Sequence, residues 1–209
     1  RLLNDLEATA YGVPHLSAED LFVLNDVPAR SGTKAVIAPG TGLGEAILFY
    51  RDGRYHVLPS EGGHTDFGPN SLFEIELLRY LMGKFAHVSY ERICSGLGLP
   101  FIYEYLRDNR YAPEIPSVVQ ALREAQDPTP VLVRAAMAGE CELCIAALNT
   151  FVSILGAEAG FVAVHPDGAK NVEVVCLDSG RLALAAGGDL PAPLRRVCAR
   201  ASREGRAAI

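Results

Sequence analysis

The residues in this chain whose types and spacing suit chemistry fall in four short segments. In Glu61-Gly62-Gly63-His64, two glycines separate a carboxylate from an imidazole, so the backbone can bend and aim both side chains into one cleft. A carboxylate accepts from two adjacent hydroxyls, and an imidazole donates to one hydroxyl or accepts from another, which makes the pair a candidate hydroxyl clamp. The same residues also suit an ordinary polar surface loop. One Glu with one His leaves too few ligands for a catalytic metal before Cys94. Asn4-Asp5 precedes a helix-like stretch, where Asp5 suits either a proton acceptor or a plain helix cap. Glu91, in His87-Val-Ser-Tyr-Glu-Arg-Ile-Cys-Ser-Gly-Leu-Gly98, reads on its own as a solvated helix residue.

The fourth segment, Gly40-Thr41-Gly42-Leu43-Gly44, lies between two apolar runs that read as strands. A dinucleotide fingerprint needs a helix next, and a P-loop needs Lys followed by Ser or Thr; neither is present. A glycine turn between strands can still present N–H groups to a phosphate, with the Thr41 hydroxyl as a further donor. Its plain alternative is a hairpin turn that tolerates glycine. Cys141-x-x-Cys144 has zinc-like spacing, but its surroundings carry helical apolar periodicity and no second ligand pair, so it reads as a buried helical pair. No stoichiometric zinc is expected.

Several elements must position these residues. A short helix is expected from Asp5 to about Gly12, and Ser17-Ala-Glu-Asp20 resembles a capping box that opens another. Strands are expected at 34–39, 46–50 and 55–58 in hairpin succession, with Arg51-Asp52-Gly53-Arg54 as a tight turn. Ser71-Leu-Phe-Glu74 reads as a cap for a helix with Leu72, Ile75, Leu78, Met82 and Phe85 on neighbouring faces. Further helices are expected at about 89–94, 99–108, 117–126, 130–138 and 140–158. Short β-like runs follow around Pro166-Asp167-Gly168, and the Ala/Arg-rich end from Pro193 is expected to pack loosely.

Composition narrows the function. The chain has 209 residues, 49% of them hydrophobic, enough for one sizeable core. A net charge of −6 gives no basic field to hold nucleic acid or an anionic membrane, and a small neutral substrate fits better. No apolar run is read as approaching the roughly 20 residues of a membrane helix, and no leader is apparent at the start, so a cytoplasmic location is expected. Five cysteines, an odd number, suit reduced thiols. The chain starts without Met and reads as a fragment.

Taken in order, Leu-Leu-Asn-Asp-Leu-Glu-Ala-Thr-Ala-Tyr-Gly (2–12), Gly-Thr-Gly-Leu-Gly (40–44), Glu-Gly-Gly-His-Thr-Asp-Phe-Gly-Pro (61–69) and His-Val-Ser-Tyr-Glu-Arg-Ile-Cys-Ser-Gly (87–96) resemble the bacterial glucokinases. The resemblance runs from residue 2 to about 160. It implies an α/β, actin-like ATPase (ribonuclease H-like) fold, here mostly the large C-terminal domain with a mixed sheet and several helices. The implied division is 1–30 for the end of a small domain and its hinge, 31–160 for the large domain, and 161–209 for a divergent C-terminal segment.

The implied activity is ATP-dependent phosphorylation of glucose at O6, with Mg²⁺ accompanying ATP. By the same resemblance Asp5 is the general base, Asn4, Glu61, His64 and Glu91 bind the other hydroxyls, and Gly40, Thr41 and Gly42 form the second phosphate loop. Asp5 at a helix start should stay ionised in the helix dipole. No nucleic acid or membrane partner is implied, and a homodimer is left open. The absence of a Cys cluster after His64 separates the chain from the zinc-containing repressor-and-kinase branch.

The family's first phosphate loop, Asp-x-Gly-Gly-Thr, does not occur in this sequence, so the chain alone is expected not to turn over. Phe161 to Ile209 departs from the family pattern, with only Leu184-Ala-Ala-Gly187-Gly188 resembling its late glycine turn. The alternative reading is a non-catalytic sugar-binding or regulatory protein that keeps the clamp.

Overall fold

A computed structural model describes residues 5–17, 20, 32–162 and 173–176. Asn4, the 166–168 region and the chain after Cys176 lie outside the described residues.

Three consecutive strands, β1 (Lys34–Pro39), β2 (Leu43–Arg51) and β3 (Arg54–Ser60), form an antiparallel meander, and β4 (Glu173–Cys176) adds to β1 in parallel. The resulting order is β3-β2-β1-β4, a mixed sheet as expected. The β2–β3 turn has Asp52 at φ 52° and Gly53 at φ 78°, the two left-handed residues of a two-residue turn whose twist matches the strands it joins. β2 begins three residues before the expected strand, so Leu43 and Gly44 belong to the ladder and the glycine turn shrinks to Gly40-Thr41-Gly42.

Alternation along β1 divides the interior in two. Ala35 and Ile37 face a large core with α3 (Leu99–Asp108), α5 (Thr129–Met137) and α6 (Glu142–Val162), which supply Leu99, Ile102, Leu106, Leu132, Phe151 and Ile154. Val36 joins Ala46, Leu48 and Val57 on the other face, under Ala10 of α1 (Asp5–Gly12) and the adjoining Val13. The sheet is thus packed on both sides, with α1 on one face and the α3–α6 layer on the other; α4 (Pro116–Glu124) packs on α5.

Three expectations need correction. The 89–94 stretch is not a helix but a series of turns: Ser89 bridges Asp66, the N–H of Glu91 donates to Gly63 O at 2.8 Å, and the bonds from Arg92, Ile93 and Cys94 back to Ser89 and Tyr90 close single turns only. α2 (Leu72–Met82) forms with the expected cap, Ser71 Oγ accepting from Glu74 N at 3.1 Å, but its buried face is Glu74, Leu77 and Leu81. Leu72, Ile75 and Met82 point outward at 82%, 47% and 65% exposure. Glu74 can be buried because its carboxylate accepts from Asn70 N at 2.6 Å. Finally, α6 is longer and more apolar than the reading of no long apolar run allowed. Its Glu142–Ala159 window has a mean hydropathy of 1.4, and 61% of that window is buried within the protein, as in a core helix. Cys141 and Cys144 lie buried at its start, with Cys144 N donating to Cys141 Sγ at 3.4 Å.

Candidate functional site

The glycine turn, the residues after β3 and the 88–91 turns meet at one edge of the sheet. After β3 the chain makes a single 3₁₀ turn, Gly62–His64, closed by His64 N to Glu61 O at 3.0 Å and Thr65 N to Gly62 O at 2.9 Å. That turn is sewn to the second segment by Phe67 N to Val88 O, Tyr90 N to Thr65 O and Glu91 N to Gly63 O, at 3.0, 3.1 and 2.8 Å. These backbone bonds bring Glu91 beside His64, 27 residues away in sequence.

His64 stands between two carboxylates. Its Nε2 is 3.6 Å from Glu61 Oε2, and its Nδ1 is 3.6 Å from Glu91 Oε1. Both gaps exceed hydrogen-bond length, so the ring nitrogens and the facing oxygens keep their capacity for a ligand's hydroxyls. The Glu61 and His64 side chains are open to solvent, whereas Glu91 is largely enclosed. Glu91 Oε2 in turn accepts from Leu43 N at 3.0 Å. One carboxylate therefore touches both the imidazole and the first residue after the glycine turn.

That turn is held from two sides. Gly40 N donates to Gly42 O at 2.8 Å, and Gly40 O accepts from Gly96 N at 2.7 Å. A Cβ on Gly42 would collide with Glu91 Oε2, so the carboxylate can come this close to the turn only while no side chain stands at Gly42. Among the described residues, the N–H groups of Thr41 and Gly42 have no partner, and Thr41 is exposed. Two backbone donors and a hydroxyl are thus available to an anion.

Asp5 lies in the first turn of α1, exposed, with its Oδ1 accepting from Leu6 N at 2.8 Å. α1 packs on β2 and β3, and Leu6 rests against Gly44, two residues beyond the glycine turn. The structure joins Glu61, His64 and Glu91 to one another and to the 40–42 turn. Among the described residues it gives Asp5 no hydrogen bond or ion pair with any of them.

Sequence reasoning missed part of this region. A cavity of about 310 Å³ beside the clamp is lined by His64, Phe85, Ala86, His87, Ser89, Glu91 and Arg92. At its rim His87 Nε2 is 2.7 Å from Asp66 Oδ1, and the Arg92 guanidinium stacks 4.8 Å from the Phe85 ring centre. His87 and Arg92 flank Glu91 in the sequence, but their convergence depends on turns that were read as a helix. Among the described residues no group of three or more His, Cys, Asp or Glu is arranged to hold a metal ion.

A family model described as Glucokinase matches residues 1–172. The glucokinase of Trichormus variabilis (strain ATCC 29413 / PCC 7937) is 39% identical over 176 residues, covering 78% of this chain and 52% of that protein. The chain spans about half the length of the curated relatives it matches. Among solved structures, a glucokinase from an Antarctic psychrotroph superposes with a TM-score of 0.72 at 27% identity, over 97% of this chain and 60% of that one. A ROK family glucokinase from Streptomyces griseus, solved with glucose and AMPPNP, gives 0.57 at 22% identity, over 94% of this chain and 56% of its own.

Proposed function

We propose, from the premise that this chain belongs to the glucokinase family and has its α/β, actin-like ATPase fold, that it carries the sugar-holding half of an ATP-dependent glucose kinase. The observation that carries the reading is the arrangement of His64 between Glu61 and Glu91, 3.6 Å from each, with Glu91 also bonded to Leu43 N beside the glycine turn.

In this reading Glu61, His64, Glu91 and Asn4 hold hydroxyls of glucose, and Asp5 accepts the proton of the 6-hydroxyl as the γ-phosphoryl of ATP is transferred to O6. Phosphoryl transfer asks little covalent chemistry of the protein; positioning and charge stabilisation do most of the work. Gly40, Thr41 and Gly42 hold phosphate oxygens through the N–H groups of Thr41 and Gly42 and the Thr41 hydroxyl. Mg²⁺ enters with ATP as part of that substrate. Glu91 ties the sugar site to the phosphate turn, so that movement of one is felt at the other.

The domain reading follows the same lines: 1–30 as the hinge segment with Asp5, 31–160 as the large domain, and 161–209 as a divergent segment. The enzyme belongs in the cytoplasm, at the phosphorylation of glucose that opens its breakdown. In the protein that carries this sequence in full, ATP consumption should depend on glucose and yield the 6-phosphate. Glucose binding without ATP consumption would contradict the reading and favour a non-catalytic sugar-binding protein.

A further inference from the structure

Two buried carboxyls behind the clamp have no part in the chemistry above. Glu45 projects from β2 at 4% exposure, and Glu158 from the last turns of α6 at 2%. Each acts on the other's carboxyl, and among the described residues Glu45 Oε1 and Glu158 Oε2 have no hydrogen-bond donor. Two facing carboxylates offer only acceptors, and a buried like-charge pair resists double ionisation. A proton between them supplies the missing donor and removes one charge.

Among the described residues nothing substitutes for that proton. The Tyr90 hydroxyl acts electrostatically on Glu158, and the buried Cys94 thiol is pushed up by burial and by the charges of Glu158, Glu74 and Glu45. Among the described residues no cation acts on either carboxyl. Burial, and then the charge of Glu158, raises the Glu45 carboxyl to about 7; burial likewise raises Glu158, against the bonds from Tyr90 and Glu45.

The pair also touches both halves of the clamp. Glu45 is the cross-strand partner of Ser60, whose Oγ accepts from Gly62 N at 3.0 Å, and a Cβ on Gly62 would collide with Glu45 Oε2. Glu158 acts on the hydroxyl of Tyr90, the residue before Glu91.

We propose that Glu45 and Glu158 share one proton and act as a positioning pair for the clamp, seating the Gly62–His64 turn through Glu45 and the Tyr90-Glu91 segment through Glu158. With the proton gone, two buried like charges repel and both segments shift. The proposal rests on the reading of Glu61, His64 and Glu91 as a hydroxyl clamp, but its test reads the chain's own atoms and requires no sugar.

The test is a pH titration of the Gly62 and Gly63 amide resonances in wild type, Glu45→Gln and Glu158→Gln, with infrared detection of protonated carboxyl groups. A glutamine on either side donates its amide N–H to the remaining carboxylate, so each variant keeps the bond without a proton. Wild type should show a protonated carboxyl band persisting at about pH 6, where exposed carboxyls have ionised. Both glycine amides should move in one step centred near 7. Each variant should lose the band and flatten the step.

An absent band in wild type, amides that do not move between about pH 5 and 9, or a step that survives in both variants would each overturn the proposal. The wild-type band decides even if a variant fails to fold. A protein that passes this test but binds no glucose would contradict the proposed function instead and leave the proton-sharing pair standing.

Discussion

At the scale of single residues, Glu61 and His64 differ from Glu91 in what their loss should do. Glu61 and His64 reach the opening from an exposed turn, so contacts they make with a sugar are made alike in ground and transition states. In the full-length enzyme, Glu61→Gln or His64→Ala should raise KM for glucose more than it lowers kcat, at about 1.5–3 kcal/mol of binding. Steady-state kinetics would check this, and a fall in kcat with KM unchanged would count against the clamp. Glu91 has a second bond, to Leu43 N, so Glu91→Ala should also weaken ATP. The types and order of these residues were legible in the sequence. Their convergence was not, because Glu91 taken alone has the composition of a solvated helix residue. What makes it half-buried is the bond from its N–H to Gly63 O, whose partner lies 28 residues away.

At the scale of elements, the glycine turn and its strands carry the sharpest constraint. Gly42→Ala sets a methyl group against the Glu91 carboxylate, and either the turn or Glu91 must move. The expected outcome is a folded protein with both ATP and glucose affinities reduced, read by titration with each ligand; unaltered affinity for both would show that the turn and Glu91 are not coupled. The hairpin itself was legible, since alternation and the Asp52-Gly53 turn fix its register. The burial of α2 was not. Leu72, Ile75, Leu78 and Met82 recur at helical spacing, but the face that packs contains Glu74, whose carboxylate accepts from Asn70 N and is thereby made compatible with burial. Periodicity reports which residues share a face; it does not report which face meets the core. The apolar window of α6 is bounded by Glu142 and Glu158 near its ends, and Glu158 is the residue that α6 buries with Glu45.

At the scale of the whole molecule, the buried carboxyl pair sets an unusual pH dependence. Glu45 is raised from 4.5 to about 7 in the folded state, so the native protein holds a proton the unfolded chain has released. That contribution is fully present below about 4.5 and is lost as pH rises to about 7, with a slope of at most about 1.4 kcal/mol per pH unit. Asp108 acts in the opposite sense: the Tyr80 hydroxyl and then Arg107 hold its carboxyl low, giving stability that is lost only as pH falls below the ordinary aspartate range. The thermal midpoint should therefore decline between about pH 5 and 7 and flatten in Glu45→Gln, and a midpoint rising through that interval in wild type would refute the assignment. The proposed transfer adds a demand that no local contact meets, since Asp5 comes from α1 on one face of the sheet and the proposed clamp from the edge beyond β3. The direct test is Asp5→Asn in the full-length enzyme, because asparagine caps a helix as well as aspartate but cannot accept the proton. The expected result is a kcat lower by roughly 10²–10⁴ with glucose still bound at near wild-type affinity. An Asp5→Asn enzyme with near wild-type kcat would contradict the assignment of Asp5 as the base and leave it a helix cap.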